Sequence, residues 1–202
     1  SALGVNMTPE LKAADVAMPY QGFSQADYAA ALIKEYRAAG VPANEVYPQS
    51  FNPADVLYWI EHTPDFGHQA VMLDGRYTDP SFNINVPASW QPDHSSLKSM
   101  GINIIAPPLW MLLSVDDQDQ LVASEYALRA SAAGLNIIAW TVERSGSLYE
   151  RGGWYYQGVE SAINNDGDVM HVIDTLIQTV GVIGIFSDWP ATVSYYQNCV
   201  TA

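Results

Sequence analysis

Three times in this sequence a helix-like stretch runs through a glycine into a short apolar segment: 38-AAGVPANEVYPQSF-51, 132-AAGLNIIAWTV-142 and 179-TVGVIGIFSD-188. Helix, glycine, strand is the grammar of successive βα units. Right-handed crossovers between such units force a parallel arrangement. Six segments qualify as strands: 4–12, 45–51, 68–75, 101–109, 135–143 and 182–190. Several are continuously apolar rather than alternating, as strands covered on both faces are. Between them the spacing predicts four helices. Segment 24–40 opens on Ser24 as N-cap with Asp27 at the third helical position, and closes on Gly40. Segment 53–63 has proline in its first turn. Segment 117–134 has acids in its opening turn and Gly134 at its close. Segment 168–181 sets Val169, Val172, Ile173, Leu176, Ile177 and Val180 along one stripe.

The expected fold class is therefore α/β, a (β/α)8 TIM barrel with about six βα units present, and residues 1–202 form one incomplete barrel domain. A closed barrel takes eight units. The first strand begins within four residues of the N-terminus, so two units are expected to be absent, and Ser1 reads as a processed or truncated start. Two long polar excursions dotted with aromatics, 76–96 and 144–167, follow strand C-termini, which in a parallel barrel is the face where chemistry happens. No Gly-x-Gly-x-x-Gly follows a strand and no P-loop lysine is present, which disfavours a nucleotide-binding doubly wound fold.

Charge narrows the partners. Eight basic and 22 acidic residues give a net charge of −14. The chain lacks the positive footprint that nucleic acid or an anionic lipid surface demands. It has no run of 18 apolar residues, so no transmembrane span is expected. Scarce lysine with plentiful Tyr, Trp, Asn and Gln suits a secreted or periplasmic protein. The single cysteine, Cys199, excludes an internal disulfide; it is either a buried thiol or the partner of a cysteine outside this chain.

Few residues can carry chemistry. Glu10 and Lys12, two apart at a strand end, share a face. They read either as an ion pair closing a barrel mouth or as a functional pair, the carboxylate suiting Mg²⁺ or Ca²⁺ and the lysine an anionic group such as phosphate. Asp188 ends the last strand and is brought toward the first by barrel closure. Ser50 and Ser187 stand at strand ends, where a hydroxyl serves a substrate phosphate or its own backbone. Phe51, Trp110, Trp140 and Trp189 lie at or just after strand ends and either wall a pocket or top off the core. Of the four histidines, only His94, in the first excursion, is placed to reach a site. The stretch 164-NNDGD-168 reads as a helix-capping turn rather than a calcium loop.

Four motifs carry a family resemblance: 10-ELK-12, 49-QSF-51, 133-AGLNIIAWTV-142 and 181-GVIGIFSDWPA-191. In that order they resemble the glycerophosphodiester phosphodiesterases, over the C-terminal three quarters of such a barrel, from Glu10 to about Tyr195. The resemblance implies a metal-dependent hydrolase that uses Ca²⁺ or Mg²⁺ and acts in glycerol and lipid metabolism. Its products are an alcohol and glycerol-3-phosphate. Glu10 matches a metal-binding carboxylate, Lys12 a phosphate contact and Trp140 an aromatic on the glycerol or leaving-alcohol side. Ser50, Phe51 and Asp188 match strand-end positions at the mouth. Trp110 and Trp189 join them as candidate substrate contacts by their place in the chain.

The family's first strands hold His-Arg-Gly with Glu-Asn-Thr, then Glu-x-Asp, then His-Asp. None appears here, so no catalytic residue is expected in this chain and the acid–base histidines belong to a missing or separate N-terminal segment. The expected partners are that segment and a small phosphodiester. Alternatives are a catalytically inactive barrel that binds a sugar or lipid headgroup through Trp90, Trp110, Trp154, Tyr155 and Tyr156, a phospholipase D-like cousin, and self-association through open sheet edges.

Overall fold

In the computed structural model, which describes residues 4–144 and 146–200, Ser24 caps the first helix as the sequence predicts. The start at Ser1 lies outside the described residues. The chain divides into two compact units, one running to Gly75 and resuming at Pro92–Ile105, the other made of Arg76–Gln91 and the chain from Ala106 onward.

In the first unit, α1 (Gln25–Ala38) carries a complete capping box. The Asp27 amide donates to Ser24 Oγ at 3.1 Å, and the Ser24 amide donates to Asp27 Oδ2 at 2.9 Å. The other elements are β1 (Gln49–Ser50), α2 (Pro53–His62), α3 (Pro64–Gly67), β2 (Val71–Leu73), α4 (His94–Ser99) and β3 (Ile104–Ala106), whose last residue belongs to the second unit. β1 pairs in parallel with β2, Gln49 opposite Val71 and Ser50 opposite Met72. β3 lies next to β2. Residues 4–12 join through two parallel bridges, Met7–Val46 and Glu10–Gln49, rather than as a continuous strand. Ile33, Val46, Val56, Trp59, Phe66 and Leu97 fill the core. The Trp59 indole donates to the Ala29 carbonyl at 2.9 Å and so ties α2 to α1. Gly67 is where α3 presses on α2: a Cβ there would stand 2.2 Å from the Trp59 carbonyl oxygen, so only glycine fits.

The second unit holds α5 (Leu109–Leu112), β4 (Leu113–Val115), β5 (Leu121–Ala123), α6 (Glu125–Ala132), β6 (Asn136–Ala139), α7 (Val169–Asp174), β7 (Gly184–Ile185) and α8 (Pro190–Val200). β6 and β7 pair in parallel, Ile138 opposite Gly184. The helix expected over 117–134 is corrected. β4 and β5 form an antiparallel hairpin, Leu113 opposite Ala123, and the helix begins only after Ser124. The acids that looked like a helical first turn make the hairpin loop instead. Asp116 Oδ1 accepts from the Gln118 and Gln120 amides, both at 2.9 Å, and Asp119 takes a φ of +56°. α7 continues as a wider turn, Thr175–Val180, to Gly181 at φ +76°, with Val172, Ile173, Leu176 and Val180 of the expected stripe buried.

Both excursions are built from short 3-10 turns. The first buries Trp90, whose indole donates to the Asn83 carbonyl at 2.9 Å and whose ring meets Tyr126 at 5.2 Å. No helix among the described residues is long and apolar enough to cross a membrane.

Candidate active site

The site residues named from the sequence fall in both units. In the first, the Lys12 ammonium stands 2.8 Å from Glu10 Oε2, with the lysine largely exposed and the carboxylate mostly covered. The parallel bridge sets Glu10 beside Gln49, on one face of the sheet. Ser50, next in sequence, is buried with its hydroxyl turned to α2. It donates to Asp55 Oδ2 at 2.8 Å and accepts from the Asn52 amide at 3.0 Å. Asp55, itself buried, also accepts from Gln25 Nε2 at 2.8 Å. Phe51 is 45% exposed, and its ring lies where a side chain on Gly75 would go.

In the second unit, Arg144 grips Asp188 with two contacts, 3.0 Å from Nε and 3.1 Å from Nη2. Glu143 accepts from Ser187 Oγ at 2.7 Å and from the Asp188 amide at 3.1 Å. The ends of β6 and β7 are thus latched by two charged residues, and Ser187 serves that latch. Trp189, just beyond, is 67% exposed. Trp110 and Trp140 come together with Tyr77, Trp154 and Tyr155 in one cluster of rings. Trp154 lies 5.9 Å from Trp110 and 6.1 Å from Trp140. The Trp140 indole is fixed by donating to the Ala106 carbonyl at 2.7 Å. Tyr156, by contrast, is buried. Its phenol donates to the Val142 carbonyl, and burial together with Glu143 pushes its ionisation up.

The four histidines are scattered. His62 stacks on Tyr58, His68 closes α3, His94 is buried in the first turn of α4, and His171 is exposed. Asn165 and Asp168 make a capping box, and Asp166 accepts from Ser147 Oγ and the Leu148 amide, so 164–168 is the capping turn expected. Cys199 is exposed, which removes the buried-thiol alternative.

No family model matches the chain. A protein of Arthroderma benhamiae, described as an extracellular protein, is 44% identical over 200 residues, covering 97% of this chain and 80% of that protein. The chain belongs to the family of that protein. In the solved structures the likeness is one of fold. A glycerophosphodiester phosphodiesterase from Parabacteroides distasonis superposes with a TM-score of 0.60 at 14% identity, over 98% of this chain and 59% of its own. A Silicibacter pomeroyi protein named for glycerophosphoryl diester phosphodiesterase activity gives a TM-score of 0.53 at 17% identity, over 87% of this chain and 44% of its own. The chain has the α/β barrel fold of the glycerophosphodiester phosphodiesterases, and it spans 59% and 44% of the lengths of these two structures.

The donor set of this chain bears on the metal expectation. Ca²⁺ or Mg²⁺ takes six or more oxygen ligands, with several from carboxylates or carbonyls. Here Glu10 is held by Lys12, and no group of three or more His, Cys, Asp or Glu side chains is gathered among the described residues. Asp188 is engaged by Arg144. The residues present do not by themselves make a hard-cation site, and no chemical step is routed through one. What the first unit does offer is a solvent-facing ammonium for an anionic group; what the second offers is a wall of rings. The reading from sequence missed Asp55, Glu143 and Tyr77. Tyr77 carries one usable signal, being the first aromatic after the strand 68–75.

Proposed function

We propose that this chain is the C-terminal part of a secreted, metal-dependent phosphodiester hydrolase that releases an alcohol and glycerol-3-phosphate from glycerophosphodiesters. The observation that carries the reading is the fold likeness to a glycerophosphodiester phosphodiesterase over 98% of the chain. The description of the Arthroderma benhamiae relative as extracellular supports secretion. In this reading residues 1–202 belong to one incomplete barrel domain. Lys12 neutralises the substrate phosphate, its three donors suiting a compact anion. An N-terminal segment of the same protein supplies the histidines for general acid–base catalysis. The same segment supplies the remaining ligands of a Ca²⁺ or Mg²⁺ ion to which this chain contributes Glu10 alone. The ring cluster of the second unit favours a second reading, a barrel that binds a sugar or lipid headgroup without turnover.

The test is intact mass spectrometry of protein isolated from its source, native and then denaturing, with a glycerol-3-phosphate assay on the same sample. The expected result is a further polypeptide, or a longer chain, carrying His-Arg-Gly and Glu-x-Asp, together with diester hydrolysis. A folded species of 202 residues that is isolated alone and hydrolyses no glycerophosphodiester in Ca²⁺ or Mg²⁺ would overturn the hydrolase reading.

A further inference from the structure

An open groove of about 520 Å³ runs between α1 and α2 in the first unit. Small-molecule sites occupy roughly 300–1,000 Å³. The spacing of residues accounts for its shape. On α1, Asp27, Ala31, Lys34 and Arg37 fall three or four apart and share a face. Ala30 and Ala31 are small where the helices meet, and they leave the groove its floor. On α2, Tyr58 and His62 are four apart. Their rings stack at 4.5 Å with an interplanar angle of 10°, which makes a flat wall. The Trp59 indole, bonded to the Ala29 carbonyl, fixes the two helices against each other. Phe23 lines the end near the start of α1.

The other end is basic. Arg37 Nη2 stands 2.7 Å from Asp65 Oδ1, and its guanidinium lies over the Phe66 ring at 5.4 Å. Asp65 and Phe66 follow α2 directly, so the C-terminal ends of the two helices lie together and bring His62 to the same end as Arg37. His62 turns Nδ1 to the Tyr58 carbonyl at 3.2 Å, which leaves Nε2 for a ligand. Lys34 differs from every other lysine and arginine of the chain. Each of the rest donates to a carboxylate, a phenol, a side-chain amide or a backbone carbonyl. Lys34 makes no hydrogen bond or ion pair among the described residues. The acid on this face, Asp27, is at the far end and is tied to Ser24. A lone ammonium beside a guanidinium fork suits a carboxylate or phosphate. A stacked pair of rings and two alanines suit a flat apolar body. The net charge of −14 opposes anions at long range, so an anion is held here only by the groups that touch it.

We infer that the groove between α1 and α2 binds a small organic anion with a flat apolar body, its charge between Lys34 and Arg37 and its body along Ala30, Ala31 and the Tyr58–His62 stack. The groove is separate from Glu10 and Lys12. Gln49 stands beside Glu10 on one face of the sheet, whereas Ser50, the next residue, turns to Asp55 of α2 on the opposite face. The site therefore belongs to the helical layer, and it does not rest on the hydrolase reading.

The test is isothermal titration of the protein with naphthalene carboxylate and with the corresponding carboxamide, which has the same rings and no charge. The carboxylate is expected to bind saturably and the carboxamide about tenfold more weakly. Lys34→Met, at an exposed and unbonded position, is expected to weaken the carboxylate about fivefold and to leave the carboxamide unchanged. Ala31→Leu, confirmed as folded by circular dichroism, is expected to weaken both about tenfold by filling the floor. Lys12→Met is expected to leave the affinity for the carboxylate as it is. Absence of saturable binding, equal binding of the two probes, an undiminished affinity in Lys34→Met, or a loss in Lys12→Met in its place would each overturn the inference. No result here depends on diester hydrolysis, so failure of this inference and failure of the hydrolase reading are distinguishable.

Discussion

Ser50 has one hydroxyl, and two demands compete for it. A strand end in a parallel barrel offers such a group to substrate, yet here it is bonded to buried Asp55. Ser50→Ala is therefore expected to destabilise the fold by about 1–3 kcal/mol, because the carboxylate loses a donor where water cannot replace it. A urea midpoint unchanged from wild type would contradict this. Asp166 makes a prediction about acid. Hydrogen bonds from Ser147 Oγ and the Leu148 amide hold its carboxyl below the ordinary value of 3.8. A lowered folded pKa contributes stability that is fully present above the unfolded value and is lost as pH falls through the folded one. Amide exchange at Leu148 and Tyr149 is expected to quicken as pH drops below about 4, after correction for intrinsic rates. It is expected not to do so in Asp166→Asn. The Glu10–Lys12 pairing was legible in the sequence because a period of two puts both side chains on one face. The Ser50–Asp55 bond was not, because it joins a strand end to a helix whose rotation the sequence leaves open.

At the scale of elements, local rules decided what could be read. Segment 24–40 contained its own start and stop signals, and helix α1 follows them. Ser24→Ala is expected to cost about 1 kcal/mol by removing the side-chain arm of the capping box, the Asp27 amide to Ser24 Oγ bond, while the backbone arm to Asp27 stays; it is measured as a lowered thermal midpoint. Segment 117–134 misled because its acids satisfy two local rules at once. A cluster of Asp and Gln opens a helix or closes a hairpin, and the choice lies with Leu113–Val115, which supplies Leu121–Ala123 with a partner strand. Asp119 takes a left-handed conformation in that loop. Asp119→Gly is expected to be neutral or to stabilise by up to about 1 kcal/mol; clear destabilisation would show that the Asp119 side chain is needed there. The ring cluster was legible only as a list of aromatics in the excursions. Which of them are core, as Trp90 and Tyr156 are, depends on loop conformations that no periodicity encodes.

For the molecule as a whole, the succession of the five strands of the main sheet was legible in the sequence, and the α/β fold likeness to the phosphodiesterases agrees with it. The division into two compact units was not legible, because it cuts through excursion 76–96 and through β3 rather than at a linker rich in proline or glycine. The central claim is that Lys12 serves a substrate phosphate. The most direct measurement is the rate of glycerol-3-phosphate release from glycerophosphocholine by the protein isolated from its source, wild type against Lys12→Met. Methionine keeps the length of the side chain, and the lysine side chain is 75% exposed, so the unfolding midpoint should hold. The account predicts a fall of about a hundredfold in kcat/KM. An undiminished rate in Lys12→Met would contradict it.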